Sequence, residues 1–563
     1  MIETFGWIHP SFVLILGALV IPFVKGLARK VYLVGLPLVV LALILTQAPG
    51  TYGTVPLLEF DLTFGRVDAL SLVFANVFGI ILVVGAIYAL HVDDTLQHVA
   101  GYIYAGSALG VIFAGDLITV YIFWEMMVFS SVWLIWCRRD EVSWAAGWRY
   151  TLVHAAGGVL LLGGIILYFL ETGTTSFDAL QDVGLAFYLI LIGFMINAAV
   201  PPLHAWLTDA YPEATITGAI LLSAFTTKTA VYTLIRGYPG TEILIVLGVI
   251  MALWGVVYAV LANDIRRLLA YHIVSQVGYM VAGVGLGTAM ALNGAASHAF
   301  AHILYKALLF MGAGAVIHMT GKSKLTELGG IYKYMPMTFL LYMVGGFAIS
   351  AFPLTSGFVT KTMIIDAAAR EGIAWMWLLL SLASAGTFLH TGLKLPYFTF
   401  LGKDSGLRPK EAPTNMLIAM GIAAFLCIFI GVYPQWVYSM MPTPVAYNAY
   451  TAGHVLWELQ VLLFTGLAFF LLLKYAGGER KISLDTDWFY RRLGWDIAQA
   501  VVRAATAARA WALGLAQQGL TGAFQRVYRY VGPGGILARN WSTGAMAFWT
   551  TVLLAVWLLA YLL

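Results

Sequence analysis

The chain has 563 residues, of which 61% are hydrophobic and only 10% charged, and its mean hydropathy is +0.87. A soluble domain carries about 25% charged residues, so water is excluded as the main solvent, and a net charge of +4 is too small to point to nucleic acid. Membrane-spanning helices need roughly 20 apolar residues, and such runs recur along almost the whole length. Backbone groups in lipid must be paired within the protein, and runs such as 111–136 lack period-two alternation, so an all-α polytopic membrane protein is predicted.

In chain order, spans are predicted near 7–25, 31–47, 67–91, 98–115, 117–137 and 148–170. A seventh, from 184 to about 212, is interrupted at Pro201-Pro202. Spans near 216–236, 242–261, 269–287 and 291–319 follow, then a twelfth, 335–371, interrupted at Pro353. The last are 374–400, 414–433, 454–474 and 544–563. The total is about sixteen, and boundaries read this way hold to a few residues. No removable signal is expected, since the first apolar run leads into a many-span chain.

Loop charges fix an expected orientation. With the N-terminus outside, Lys25, Arg29, Lys30, Arg138, Arg139, Arg266, Arg267, Lys322, Lys324, Lys403, Arg408 and Lys410 fall inside. The acidic loops holding Glu59 and Asp61, then Glu171, Asp178 and Asp182, fall outside, in accord with the bias of Lys and Arg toward the cytoplasm.

The two interrupted spans read Gly193-Phe-Met-Ile-Asn-Ala-Ala-Val-Pro-Pro-Leu and Gly346-Phe-Ala-Ile-Ser-Ala-Phe-Pro-Leu, and with one gap they match at Gly, Phe, Ile, Ala, Pro and Leu. The second lies five spans on from the first, an odd step that gives the copies opposite polarity. Paired broken helices of this kind mark transport sites near mid-membrane; two ordinary proline kinks are the bland alternative. Segment 479–540 is different. Arg492, Asp496, Gln499, Arg503, Thr506 and Arg509 recur every three or four residues, which predicts an amphipathic helix along a surface, as coupling element or as solvated linker.

An ionisable residue deep in an apolar helix costs about 2.5–3.5 kcal/mol on insertion scales. Glu125, Lys228, Lys306 and Lys361 each occupy such a place, and His302 and His298 precede Lys306 by one and two turns on one helical face. Burial brings lysine and carboxylate toward the range where protons exchange, and histidine is already there. The set suits cation passage, protons above all; pairing within the bundle is the alternative for each residue alone. His204, just after Pro201-Pro202, is a further candidate, with Asn197, His272, His390 and Lys394 as relay or structural positions. Cys137 and Cys427 form no metal-spacing cluster, and Walker, GxGxxG, HExxH and nucleophile-elbow motifs are missing, so no metal, cofactor or catalytic centre is expected.

Gly115-Asp-Leu-Ile-Thr-Val-Tyr-Ile-Phe-Trp-Glu125, Pro201-Pro-Leu-His-Ala-Trp-Leu-Thr-Asp-Ala210, Asp264-Ile-Arg-Arg-Leu-Leu-Ala-Tyr271, Ser275-Gln-Val-Gly-Tyr279, 302–310 and 357–361 together resemble the antiporter-like membrane subunits. That family covers the proton-pumping subunits of respiratory complex I, the A and D subunits of Mrp-type sodium/proton antiporters and membrane hydrogenase subunits. The core looks closest to the D type, while the C-terminal helix plus final span resembles the distal pump subunit of complex I.

The resemblance implies a core of about 14 helices with two inverted five-helix repeats. The expected divisions are 1–97, N-terminal helices; 98–236 and 242–402, the repeats; 414–474, C-terminal helices; 479–540, the lateral helix; and 544–563, the final span. It assigns proton translocation to Glu125, Lys228, His298, His302, Lys306 and Lys361. One position departs: the family's broken-helix lysine is Asn197 here, which cannot carry a proton charge. Arg266 and His272 also replace a usual lysine and serine. The expected function is proton conduction in a multisubunit sodium/proton antiporter of a bacterial or archaeal cell membrane, with other membrane subunits and lipid as partners. A redox-driven pump subunit and a proton-conducting partner of another uptake system are the alternatives.

Overall fold

Apolarity decides which stretches of this chain are helical, and side-chain caps decide where each helix begins. The computed structural model describes residues 7–477, 479 and 483–563; residues 1–6 of the expected N-terminal division, and 480–482 of the expected lateral segment, lie outside the described residues. Among the described residues thirteen helices are long and apolar enough to cross a membrane, and Pro10–Phe23, Leu185–Asn197 and Pro336–Ile349 are shorter apolar ones. Together they occupy the sixteen expected spans.

Helices α1 (Pro10–Ala18) and α2 (Gly26–Leu45) lead to a hairpin of β1 (Gly50–Leu57) and β2 (Phe60–Val67). The strands pair antiparallel from Gly50 opposite Val67 to Leu57 opposite Phe60. This hairpin is the one strand element among the described residues, at the place expected to be a loop holding Glu59 and Asp61. Next come α3 (Ala69–Tyr88), α4 (Thr95–Phe113), α5 (Leu117–Trp136), α6 (Glu141–Thr172), α7 (Leu185–Asn197), α8 (Ala205–Ala210), α9 (Ile216–Ala224) and α10 (Thr226–Gly237). They are followed by α11 (Ile243–Leu261), α12 (Ile265–Leu286), α13 (Ala289–Thr320), α14 (Pro336–Ile349), α15 (Ser356–Arg370) and α16 (Ala374–Thr387), which runs on into a π-helical turn, Phe388–Lys394. After α17 (Thr414–Val432) come α18 (Gln435–Tyr438), α19 (Ala452–Leu471) and α20 (Leu473–Ala476).

Helices α3, α4, α5, α6 and α12 each start on an aspartate whose carboxylate accepts first-turn N–H groups. These caps recur as part of a larger repetition. Asp116 before α5 forms an isolated bridge with Ser176, and Asp264 before α12 forms one with Lys324, 148 positions later in both partners. Phe177 N–H donates to Gly115 C=O at 3.0 Å, and Leu325 N–H to Asn263 C=O at 2.8 Å. Helices α6 and α13 both have 32 residues and both end on a left-handed glycine, Gly173 and Gly321.

The broken helices repeat too. Val200 N–H reaches back five residues to Met195 C=O, as Phe352 N–H does to Phe347 C=O, both at 3.1 Å. Ala199 and Ala351 hold φ of 59° and 58°, left-handed values that cost a non-glycine residue about 1–2 kcal/mol and persist where packing dictates them. Two copies of one five-span unit, an odd number of spans apart, are therefore inverted relative to each other.

The bundle closes by small-residue contact, since lipid supplies little hydrophobic force between helices. Helices α11 and α12 meet backbone to backbone at Gly248, Gly255, Gly278 and Gly285. A Cβ on Gly278 would lie 2.5 Å from Gly248 O and 2.6 Å from Ala252 N. Helix α12 is fully enclosed across its apolar window, and α13 nearly so.

A separate unit, Trp488–Leu563, holds a π-helical turn and the long helix α21 (Gly494–Val531), then α22 (Thr543–Leu562), apolar enough to span. No residue of either helix is buried.

Gly278→Ala is expected to destabilise the purified protein by about 1–3 kcal/mol, the usual cost of overpacking. Gly35→Ala, at a glycine with nothing within 4 Å, serves as control and should change stability by no more than about 0.5 kcal/mol. Thermal unfolding in detergent measures both.

Candidate functional site

The last four carbonyls of a helix lack intrahelical partners and carry the negative end of its dipole. Three buried lysines use such carbonyls. Lys228 donates to Ser223 C=O at 2.5 Å, at the end of α9, and to Thr227 Oγ1 at 3.1 Å. Lys361 donates to Ile349 C=O at 3.3 Å, the last residue of α14 before the second break. Lys394 donates to Val260 C=O and, at 3.2 Å, to Ala262 C=O at the end of α11.

Lys306 differs, meeting the Nδ1 of His272 at 3.3 Å, while His272 Nε2 lies 3.3 Å from Thr387 Oγ1. The His272 and His390 rings are 4.9 Å apart. His390 and Lys394 share the π-helical turn. On the other side of Lys306, His302 lies within electrostatic range of Lys228, Lys306 and His298, and neither of its ring nitrogens has a hydrogen-bond partner among the described residues. His298 contacts Thr360 Oγ1 at 3.2 Å and Gln276 Oε1 at 3.3 Å. All of these histidines and lysines are buried.

Lys228, at the end of the first repeat, and His302, Lys306, His272, His390 and Lys394 of the second therefore form one file. It ends at the Ala262 carbonyl, on a 390 Å³ cavity lined by Asp264, Arg267, Tyr271, Lys324 and Glu327. Lys361 stands beside the file, next to Thr360, 5.7 Å from the Tyr279 ring, with the buried Glu458 of α19 in electrostatic range.

The first repeat is built otherwise. Glu125 is only partly buried, in an open groove with Leu96, Ile103, Phe129 and Trp133, and its Oε1 has no hydrogen-bond partner among the described residues. A Cβ on Gly158 would lie 2.1 Å from that oxygen. Asn197 accepts from His154 at 2.7 Å. His204, after the cis Pro201–Pro202 peptide, meets Asp485 at 3.1 Å, and the Tyr271 hydroxyl donates to the same carboxylate at 2.7 Å. His204 thus anchors the segment after α20, away from the file.

Of the expected residues, the structure brings Lys228, His298, His302 and Lys306 together and adds His272, His390 and Lys394 as members. It leaves Glu125 apart. Sequence reading missed Glu458, His154, Gln276 and Thr387; Glu458 and His154 were findable as ionisable groups inside apolar runs.

Residues 114–387 match the family model described as NADH:quinone oxidoreductase/Mrp antiporter, transmembrane. The chain is 31% identical over 490 residues to the A-type subunit of the Na(+)/H(+) antiporter of Alkalihalophilus pseudofirmus, covering 74% of this chain and 60% of that protein. Residues 114–387 thus carry an antiporter-like transmembrane domain, and the chain is similar to antiporter-like membrane subunits. It is also 29% identical over 430 residues to hydrogenase-4 component B of Escherichia coli, covering 68% of this chain and 64% of the relative. It thus spans less than two thirds of both these antiporter-like relatives. Its fold matches a chain of the membrane-bound sulfane sulfur reductase, an archaeal respiratory membrane complex, with a TM-score of 0.72 and 22% identity, over 98% of this chain and 99% of the other.

At the cavity, burial opposes ionisation of Asp264, yet Lys324, Ser323 and Arg266 together hold its carboxyl below the usual range. A depressed carboxylate pKa adds stability that is present above the unfolded value, about 4, and lost as pH falls through the lower folded value. Asp264→Asn keeps the cap but loses the charge pairing with Lys324, and is expected to cost up to about 1 kcal/mol at neutral pH, with the gap to wild type closing in acid below pH about 4. Unfolding midpoints across a pH series check this.

Proposed function

We propose that this chain is the proton-conducting subunit of a multisubunit cation/proton antiporter, moving protons through Lys228, His298, His302, Lys306 and Lys361, with His272, His390 and Lys394 completing the line. The observation that supports this best is the file of buried nitrogen bases ending on a polar cavity. Imidazole and amine nitrogens take up and release protons, whereas hard cations are bound by oxygen. The sodium route of the complex therefore lies outside this file. The relative from a Na(+)/H(+) antiporter supports the exchange. Loop charges support an N-terminus outside, with the cavity and its flanking Arg267 and Lys324 on the cytoplasmic side in this reading.

The divisions 98–236 and 242–402 are two conducting halves in this reading. Glu125, on the groove side of the first half, faces lipid or a neighbouring subunit. One second reading stays in play: a redox-driven pump subunit. The likeness of fold over nearly the whole chain, C-terminal unit included, to a chain of a respiratory complex favours it.

Inverted vesicles holding the chain with its neighbouring subunits, given a pH gradient and no electron donor, separate the two. Antiport requires sodium- or potassium-dependent dissipation, reduced about a hundredfold in Lys361→Ala and in Lys306→Ala while the protein stays inserted. Dissipation indifferent to cations, with pumping restored by an electron donor, moves the chain to the redox reading. Normal transport by both well-inserted variants removes the lysine axis altogether.

A further inference from the structure

The internal repeat supplies a comparison within one molecule. His302 occupies the middle of the 32-residue helix α13, and 148 positions earlier, in the middle of the 32-residue helix α6, stands His154. The same separation relates Asp116 to Asp264, Gly173 to Gly321 and Ser176 to Lys324. His154 is thus the first repeat's counterpart of a histidine in the file, and it is 1% exposed.

Its partner is Asn197, also 1% exposed, the last residue of α7 before the first break. The His154 Nδ1 lies 2.7 Å from Asn197 Oδ1. With the amide oxygen facing the ring, Nδ1–H donates and Nε2 is left as the base. His154 Nε2 and Asn197 Nδ2 are both buried, and neither has a hydrogen-bond partner among the described residues. A buried polar atom without a partner carries a cost of about 1–3 kcal/mol, which is expected where a site exchanges protons or water and unexpected in a purely structural bond.

We propose that His154 and Asn197 form the protonatable site of the first repeat, with His154 Nε2 taking up and releasing the proton and Asn197 stabilising the imidazolium through its amide oxygen. The proposal rests on the proton-conducting reading. Asparagine cannot carry a proton charge, but imidazole can. The groups near the ring are aromatic rings, an ion-paired carboxylate and Glu125. From α6 itself, Tyr150 lies 4.3 Å away ring to ring, and Glu125 of α5 lies one turn on, beside Gly158. From α8, the Trp206 ring is 4.4 Å away and Asp209 is taken up by Arg149 at 2.6 Å. Beyond Tyr150, whose hydroxyl meets Ser131 Oγ at 2.7 Å and also reaches the Thr226 side chain, begins the helix that carries Lys228. Hydroxyl groups, rather than a second lysine, thus stand between His154 and the helix that carries Lys228.

The test uses the full chain, labelled at histidine and compared with His154→Gln, in an infrared or NMR titration of imidazole protonation. One imidazole is expected to titrate in wild type and to be missing from His154→Gln, and Asn197→Leu should move its midpoint by about one unit, a tenfold change in proton affinity. In vesicles, His154→Gln should reduce proton flux at least about tenfold, and His154→Lys should restore it with a profile shifted to higher pH. If no imidazole signal is lost in His154→Gln, or Asn197→Leu leaves the midpoint in place, the proposal falls whatever the flux. If the dyad titrates as expected and neither wild type nor any variant conducts protons, the proton-conducting reading falls instead. If His154→Gln fails to fold, the Asn197→Leu midpoint decides alone.

Discussion

The structure depends on a single electrostatic device: helices that stop inside the membrane offer their last carbonyls to lysine ammonium groups. An ammonium in lipid needs acceptors, and a continuous helix has none to spare, because every carbonyl is taken by the next turn. Ending α9 and α14 inside the membrane beside Lys228 and Lys361, and α11 at its own end beside Lys394, frees those acceptors where they are required. The dipoles at these ends are negative, so the same geometry both orients the amine and favours its charge. Remove the breaks and the lysines have no place in the fold.

The two repeats share this frame and differ in what they place on it. Asp caps, isolated bridges, left-handed alanines and 32-residue helices recur, yet the second repeat fills its centre with lysine and histidine while the first pairs a histidine with an asparagine and adds Lys228 at its end. Gly158 stands at the place corresponding to Lys306, and Glu125 leans into the room it leaves. A fold symmetric in backbone is thus asymmetric in charge. The second half carries a file of buried bases to a polar cavity, whereas tyrosine, serine and threonine hydroxyls lie between the first half's histidine and that file.

Packing follows from the same constraint. Buried charges need fixed partners, and fixed partners need helices that do not slide. Backbone contact at Gly248, Gly255, Gly278 and Gly285 locks α11 to α12, and α12 carries His272 and Gln276 into the file. Asp485 adds a further tie, since one carboxylate holds both His204 beside the first break and Tyr271 next to His272.

The sequence by itself determined the solvent, the number of spans, the two breaks and most of the ionisable residues, because hydropathy, proline and a buried charge are each visible in a short window. It also showed Asn197 to be unusual. It did not show the hairpin at 50–67, whose eight-residue strands are shorter than any hydropathy window, nor the significance of His154 or Glu458. Those required knowing which helices touch. Tertiary structure alone decided that Lys306 meets His272 and not a carboxylate, that Glu125 faces a groove instead of the file, and that His204 serves as an anchor. Each turns on a side chain's partner across 30 or more residues, and helical periodicity gives a face but never says which neighbour that face meets.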